Sequence, residues 1–218
     1  KSVINQIKIN LSNIDQSCVI ICPPSTYLKS FEKSPFYLGS QDCSLFDLGA
    51  YTGEISAKIL NEIGCDFCIV GHSERRHFFN EDNQMVLKKT NNCLNNSIIP
   101  ILCVGETLED KIQKKTKEIL KKQITECLPL ITNSKNIIVA YEPIWAIGKG
   151  ETPTLEEINE IHRFIKLEIL NSSDYKVIYG GSVNSTNSKE ILDLDEVNGL
   201  LVGGASLNIE EFNKIIAS

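Results

Sequence analysis

Short apolar runs alternate along the chain with longer stretches in which apolar residues recur every three or four positions. The runs at 18–22, 36–41, Phe67–Val70, Ile99–Val104, 137–141, Lys176–Tyr179 and 200–202 predict seven strands. Between them, stretches such as 81–94 and 155–170 carry one apolar and one charged face and predict amphipathic helices, the second opened by a capping box at Thr154 and Glu157. Strands that are apolar throughout and separated by helices imply a parallel sheet covered by helices. Such an α/β chain is either an open doubly wound sheet or a closed (β/α)8 barrel.

The turns favour the barrel. An open nucleotide-binding sheet predicts a glycine fingerprint after its first strand, yet Cys22-Pro23-Pro24-Ser25 occupies that turn, and G-x-G-x-x-G occurs nowhere. A barrel predicts functional residues at the C-terminal ends of several strands, with phosphate held after the last two. His72 directly follows the run Phe67–Val70 at a helix start, and Glu142 ends the run 137–141 ahead of Pro143. Tyr179-Gly180-Gly181-Ser182 and Val202-Gly203-Gly204-Ala205 follow the last two runs. Glycine lets backbone N–H groups approach an anion closely, so these turns read as two halves of a phosphate cradle.

Composition narrows the function further. The chain has 218 residues, 42% of them hydrophobic and 23% charged, and its net charge is -6. It is long enough for one domain over 1–218 with its own core, and no linker divides it. The acidic balance disfavours nucleic acid and anionic membrane, leaving small molecules or another protein as partners. Most of the eight cysteines lie inside apolar runs with no signal peptide ahead of them, which points to a reducing cytoplasm. Cys65 and Cys68 form a C-x-x-C without the second pair a zinc site needs, so no metal is expected. Taken singly, His77 and His162 read as structural residues on helices.

Five strings, residues 49–56 (GAYTGEIS), 70–76 (VGHSERR), 140–148 (AYEPIWAIG), 178–183 (IYGGSV) and 201–206 (LVGGAS), resemble the motifs of the triosephosphate isomerase family in order and spacing. The resemblance implies a TIM barrel and the interconversion of dihydroxyacetone phosphate and glyceraldehyde 3-phosphate through an enediolate. It implies a place in glycolysis and gluconeogenesis, with no cofactor and no metal. Glu142 would be the base. His72 would be a neutral electrophile, its pKa lowered by the helix beginning after it. Gly148, on a lid spanning 144–153, would bind the substrate phosphate with Ser182, Gly203 and Gly204, while Glu74 and Thr52 would support the site. Lys149 stands where the family commonly has a small polar residue, which implies altered lid kinetics. The loop 44–56 would reach into a second copy, making a homodimer.

Family members open with a strand and a turn that supplies an asparagine and a lysine to the substrate. This sequence begins inside the helix that follows, so the barrel is expected to be N-terminally incomplete, and the 218-residue chain is expected to have little activity by itself. Whether the preceding segment belongs to the natural protein stays open. A non-catalytic, degenerate phosphate-binding or interaction protein is the alternative reading.

Overall fold

The computed structural model describes residues 19–31, 36–147 and 152–218. Six strands run in chain order: β1 (Ile20–Ile21), β2 (Tyr37–Ser40), β3 (Phe67–Val70), β4 (Ile99–Val104), β5 (Ile138–Tyr141) and β6 (Lys176–Tyr179). Each is hydrogen-bonded in parallel to the next, in the order β1-β2-β3-β4-β5-β6. The helices lying between and after them are α1 (Ala57–Ile63), α2 (Ser73–Phe78), α3 (Asn83–Asn95), α4 (Leu108–Ile112), α5 (Thr116–Cys127), α6 (Leu155–Phe164), α7 (Ser188–Leu192) and α8 (Ile209–Ile216). The last turn of α6 continues as a wider π turn over Ile165–Ile169.

Period-two alternation sorts each strand into two buried faces. Cys68, Val70, Leu102, Val104, Val139, Tyr141, Val177 and Tyr179 face the core shared with the helices. Phe67, Ile69, Ile101, Cys103 and Ala140 face the other way and form a second cluster. That cluster gathers Ile20 and Cys22 near the first strand together with Ile178 and Leu201 near the last. A flat sheet would hold those residues five strands apart, so the sheet curls on itself as a barrel wall does. Burial on both faces explains why the strands read as unbroken apolar runs.

The chain departs from the predicted strands at one end. The run 200–202 makes a single parallel bridge, Tyr179 to Leu200, and is not a strand. Leu201 N–H still donates to Tyr179 C=O at 2.8 Å, but the Asn198 side chain accepts from Val177 N–H at 3.0 Å and takes over part of the ladder. The backbone then turns at Gly203 into a 3-10 turn over Gly204–Leu207. The first predicted run shortens to Ile20–Ile21, with Cys18 outside the described residues.

Helix starts follow their capping residues. Thr154 and Glu157 exchange both bonds of a capping box, as do Thr107 and Asp110 at the head of α4. The helix predicted from residue 81 starts two positions later, because Asp82 caps it by accepting from Met85 N–H at 2.8 Å. Glu81 is then free to join a buried ion cluster, where Lys89 Nζ and Arg75 Nε each lie 2.6 Å from its Oε1.

Candidate functional site

The ends of β3 and β5 bring two ionisable side chains into contact across β4. His72 caps α2, its Nδ1 accepting from Glu74 N–H at 3.3 Å. Glu142, one residue past β5, is buried, with Oε1 3.0 Å from His72 Nε2. Its Oε2 accepts from Ser73 N–H at 3.2 Å. An Nδ1 that accepts a backbone N–H cannot carry the proton of a neutral ring, so that proton sits on Nε2, pointing to the carboxylate. The pair is therefore a hydrogen-bond donor and a proton acceptor facing one space.

The pKa of His72 is raised, not lowered as the resemblance implies. Burial is the largest single influence and would lower it, but the hydrogen bond and charge of Glu142, aided by the charge of Glu74, outweigh burial. Glu74 itself is exposed, with Oε2 3.8 Å from His72 Nδ1.

Close backbone approach holds the pair in place. Arg76 Nε donates to Gly71 C=O at 2.8 Å and Nη1 to Asn83 Oδ1 at 2.7 Å, pinning the turn that delivers His72. Gly71 has φ +66°, and a Cβ there would meet the Val86 methyls at 2.9 Å. Gly105, just past β4, lies so close to Glu142 that a Cβ would collide with its carbonyl oxygen.

The first glycine turn adjoins this pair. A Cβ on Gly180 would lie 2.9 Å from Glu142 Cγ and 3.5 Å from Leu201 Cβ, so the first turn is wedged between Glu142 and the segment leading to the second. Gly203 and Gly204 are exposed and border open space. Ser182 Oγ donates to Ala146 C=O at 2.5 Å, tying the first turn to the segment after Glu142. Gly148, together with Lys149 on the expected lid, lies outside the described residues. Thr52 is exposed on the loop 44–56, a different element from the strand ends that carry the pair.

Three contributors were not singled out from the sequence. Glu106, two residues past β4, is buried and accepts from Trp145 Nε1 at 2.8 Å and Tyr141 Oη at 3.2 Å, anchoring the chain after Glu142. Its position beyond an apolar run is the signal that marked Glu142, so the strand-end rule could have found it. Cys103 lies buried by Glu142, its thiol pushed up by burial first and by that carboxylate second. Ser73 acts through its backbone N–H, which no side-chain pattern reveals. His77 is exposed, its ring edge-on to Phe78, and His162 is fully buried in α6.

A family profile described as triosephosphate isomerase matches residues 1–218. The triosephosphate isomerase of Francisella tularensis subsp. holarctica is 40% identical over 99% of this chain and 88% of its own length. That of Aquifex aeolicus is 44% identical over 92% of this chain and 85% of its own. Among solved structures, the triosephosphate isomerase of Bartonella henselae superposes with a TM-score of 0.88 at 34% identity, covering 98% of this chain and 90% of that one.

Proposed function

The chain belongs to the triosephosphate isomerase family, and on that premise we infer that it interconverts dihydroxyacetone phosphate and glyceraldehyde 3-phosphate, with Glu142 and His72 as its catalytic pair. The observation that carries the assignment of roles is the 3.0 Å contact between Glu142 Oε1 and His72 Nε2 at two strand ends. Glu142 takes a proton from one substrate carbon and returns it to the neighbouring carbon. The Nε2–H of His72 donates to the carbonyl oxygen that becomes the enediolate oxygen, where a fixed donor matters most because charge develops there. Substrate oxygen replaces Glu142 as the partner of Nε2. Ser73 N–H then releases one carboxylate oxygen toward the substrate.

Ser182, Gly203 and Gly204, joined by Gly148, bind the substrate phosphate. The wedged position of Gly180 supports this reading, since it sets the first glycine turn against the base and beside Leu201, which leads into the second. Neither a cofactor nor a metal has a role in this proton transfer.

Homodimerisation is part of the same reading. The loop 44–56 is pinned at its base by Asn92 Nδ2, which donates to Ser44 and Leu45 C=O. Beyond that base, Phe46 and Tyr51 stack at 3.8 Å and stay nearly half exposed, with Leu48 more exposed still. Apolar side chains on a short polar-rimmed loop are suited to insertion into a second copy, which would carry Thr52 to the partner's site. A cytoplasmic setting agrees with the seven free cysteines among the described residues. No helix among those residues is long and apolar enough to cross a membrane.

The test is the isomerase assay on single substitutions. His72→Gln is expected to lower kcat about a hundred- to a thousandfold, and Glu142→Gln about a hundred- to ten-thousandfold, with melting temperatures little changed. Turnover preserved in Glu142→Gln would remove it from the role of base.

A further inference from the structure

Three thiols from three separate elements meet on the helix-facing side of the sheet: Cys43 from the segment after β2, Cys68 from β3 and Cys93 from α3. Their sulfurs all lie within 4.8 Å of one another, and those of Cys43 and Cys93 are 3.6 Å apart. All three are almost wholly removed from solvent. Three sulfurs around one ion, with metal–sulfur bonds of roughly 2.3 Å, stand roughly 4 Å from each other. The Cys43–Cys93 separation falls just short of that value, and the 4.8 Å limit on the other two is compatible with it.

We propose that Cys43, Cys68 and Cys93 form a binding site for one soft monovalent cation of the copper(I) class, held by three thiolate sulfurs. Thiolate ligands select soft ions over calcium and magnesium, which require oxygen. Zinc fills a tetrahedron, and among the described residues no fourth cysteine, histidine or carboxylate joins the group. Binding replaces up to three S–H protons by one ion, M⁺ + 3 RSH → [M(SR)3]²⁻ + 3 H⁺, with no change of oxidation state.

The surroundings bear on whether such charge can be held. Lys89, one helical turn before Cys93, has a buried ammonium 2.6 Å from both Asp42 and Glu81, and its backbone C=O accepts from the Cys43 thiol at 3.9 Å. Burial opposes a thiolate at Cys68, but the Cys43 and Cys93 thiols, the buried Ser40 hydroxyl and the Lys89 ammonium all favour it. Cys43 and Cys93 are pushed the other way: at Cys93 the Cys43 thiol favours a thiolate but is outweighed by the hydrogen bond with Cys68, burial and the Asp42 charge, and at Cys43 the hydrogen bonds with Cys68 and Cys93 and burial all disfavour one. A single buried cysteine is ordinary core packing; three that converge beside a buried cation make a ligand set. A bound ion would clamp β3, α3 and the segment after β2 together and stabilise the fold by an amount that grows with the logarithm of free ion concentration over its Kd.

The proposal is independent of the isomerase reading and is tested on the purified, reduced protein without oxygen, using copper(I) against a chromophoric copper(I) chelator. One ion retained per chain, three sulfur ligands by X-ray absorption and a raised melting temperature are expected. Cys93→Ser should weaken retention by at least about a hundredfold, while Cys65→Ser and Cys22→Ser retain one ion. Circular dichroism of each variant reports whether it folds, and the absorption spectrum of the unsubstituted protein decides the matter if Cys93→Ser does not. Coordination by two sulfurs, undiminished retention in a folded Cys93→Ser, or a Cys43–Cys93 disulfide in place of bound metal would each overturn the site.

Discussion

His162 shows how one buried group ties this fold to pH. Its ring lies fully buried on α6, edge-on to Tyr141 at 6.0 Å and tilted against Tyr179 at 6.4 Å. Burial pushes its pKa down to about 3, against the pull of the Glu196 and Val177 backbone. The folded state therefore holds it neutral, while the unfolded chain takes up a proton near the ordinary histidine value. The stability it allows is complete above about pH 6.5 and is lost as pH falls from there toward 3, at roughly 1.4 kcal/mol per pH unit. Urea unfolding at pH 7 and pH 5 should show a drop of about 2 kcal/mol from this group, absent in His162→Leu. An equal drop in the variant would assign the acid sensitivity elsewhere. The sequence reading of His162 as a structural residue on a helix agrees with this burial, but its depth came only from packing, since α6 alone does not reveal that β5 and β6 cover it. His72 teaches the opposite lesson: a helix start beside it suggested a lowered pKa, and a carboxylate from 70 positions further along the chain raised it.

At the scale of elements, caps fixed boundaries more sharply than periodicity did. α6 begins where Thr154 accepts from Glu157 N–H at 3.1 Å and Glu157 accepts from Thr154 N–H at 2.9 Å. Thr154→Ala should destabilise the protein by about 1 kcal/mol, read as a lower denaturant midpoint with unchanged slope. A change in the slope as well would mean that α6 frays enough to alter the native state. Five of the seven predicted strands lie within one residue of those observed, and a sixth within two, because burial on both faces leaves an apolar run that local sequence displays. The run 200–202 misled for the same reason: it is apolar, yet the Asn198 side chain substitutes for a ladder partner and Gly203 turns the backbone away.

On the scale of the whole molecule, the exposed stack of Phe46 on Tyr51 carries the assembly prediction. Sedimentation should give twice the chain mass at micromolar concentration, and Phe46→Asp combined with Leu48→Asp should shift it to the monomer and lower activity. A monomer before substitution would dismiss the dimer. What the sequence determined by itself is the alternation of buried strands and capped helices, the strand-end positions of His72 and Glu142, and the glycine turns, because each is set by local period, local turn chemistry and side-chain type. Tertiary structure decided what those groups touch: the proton location and raised pKa of His72, the wedging of Gly180 between Glu142 and Leu201, and the meeting of three thiols from β3, α3 and the segment after β2. A C-x-x-C count discounted metal because it compares neighbours along the chain. Direct pairing of β2 with β3 and the packing of α3 on the sheet instead place Cys68 beside residues 25 positions distant on either side.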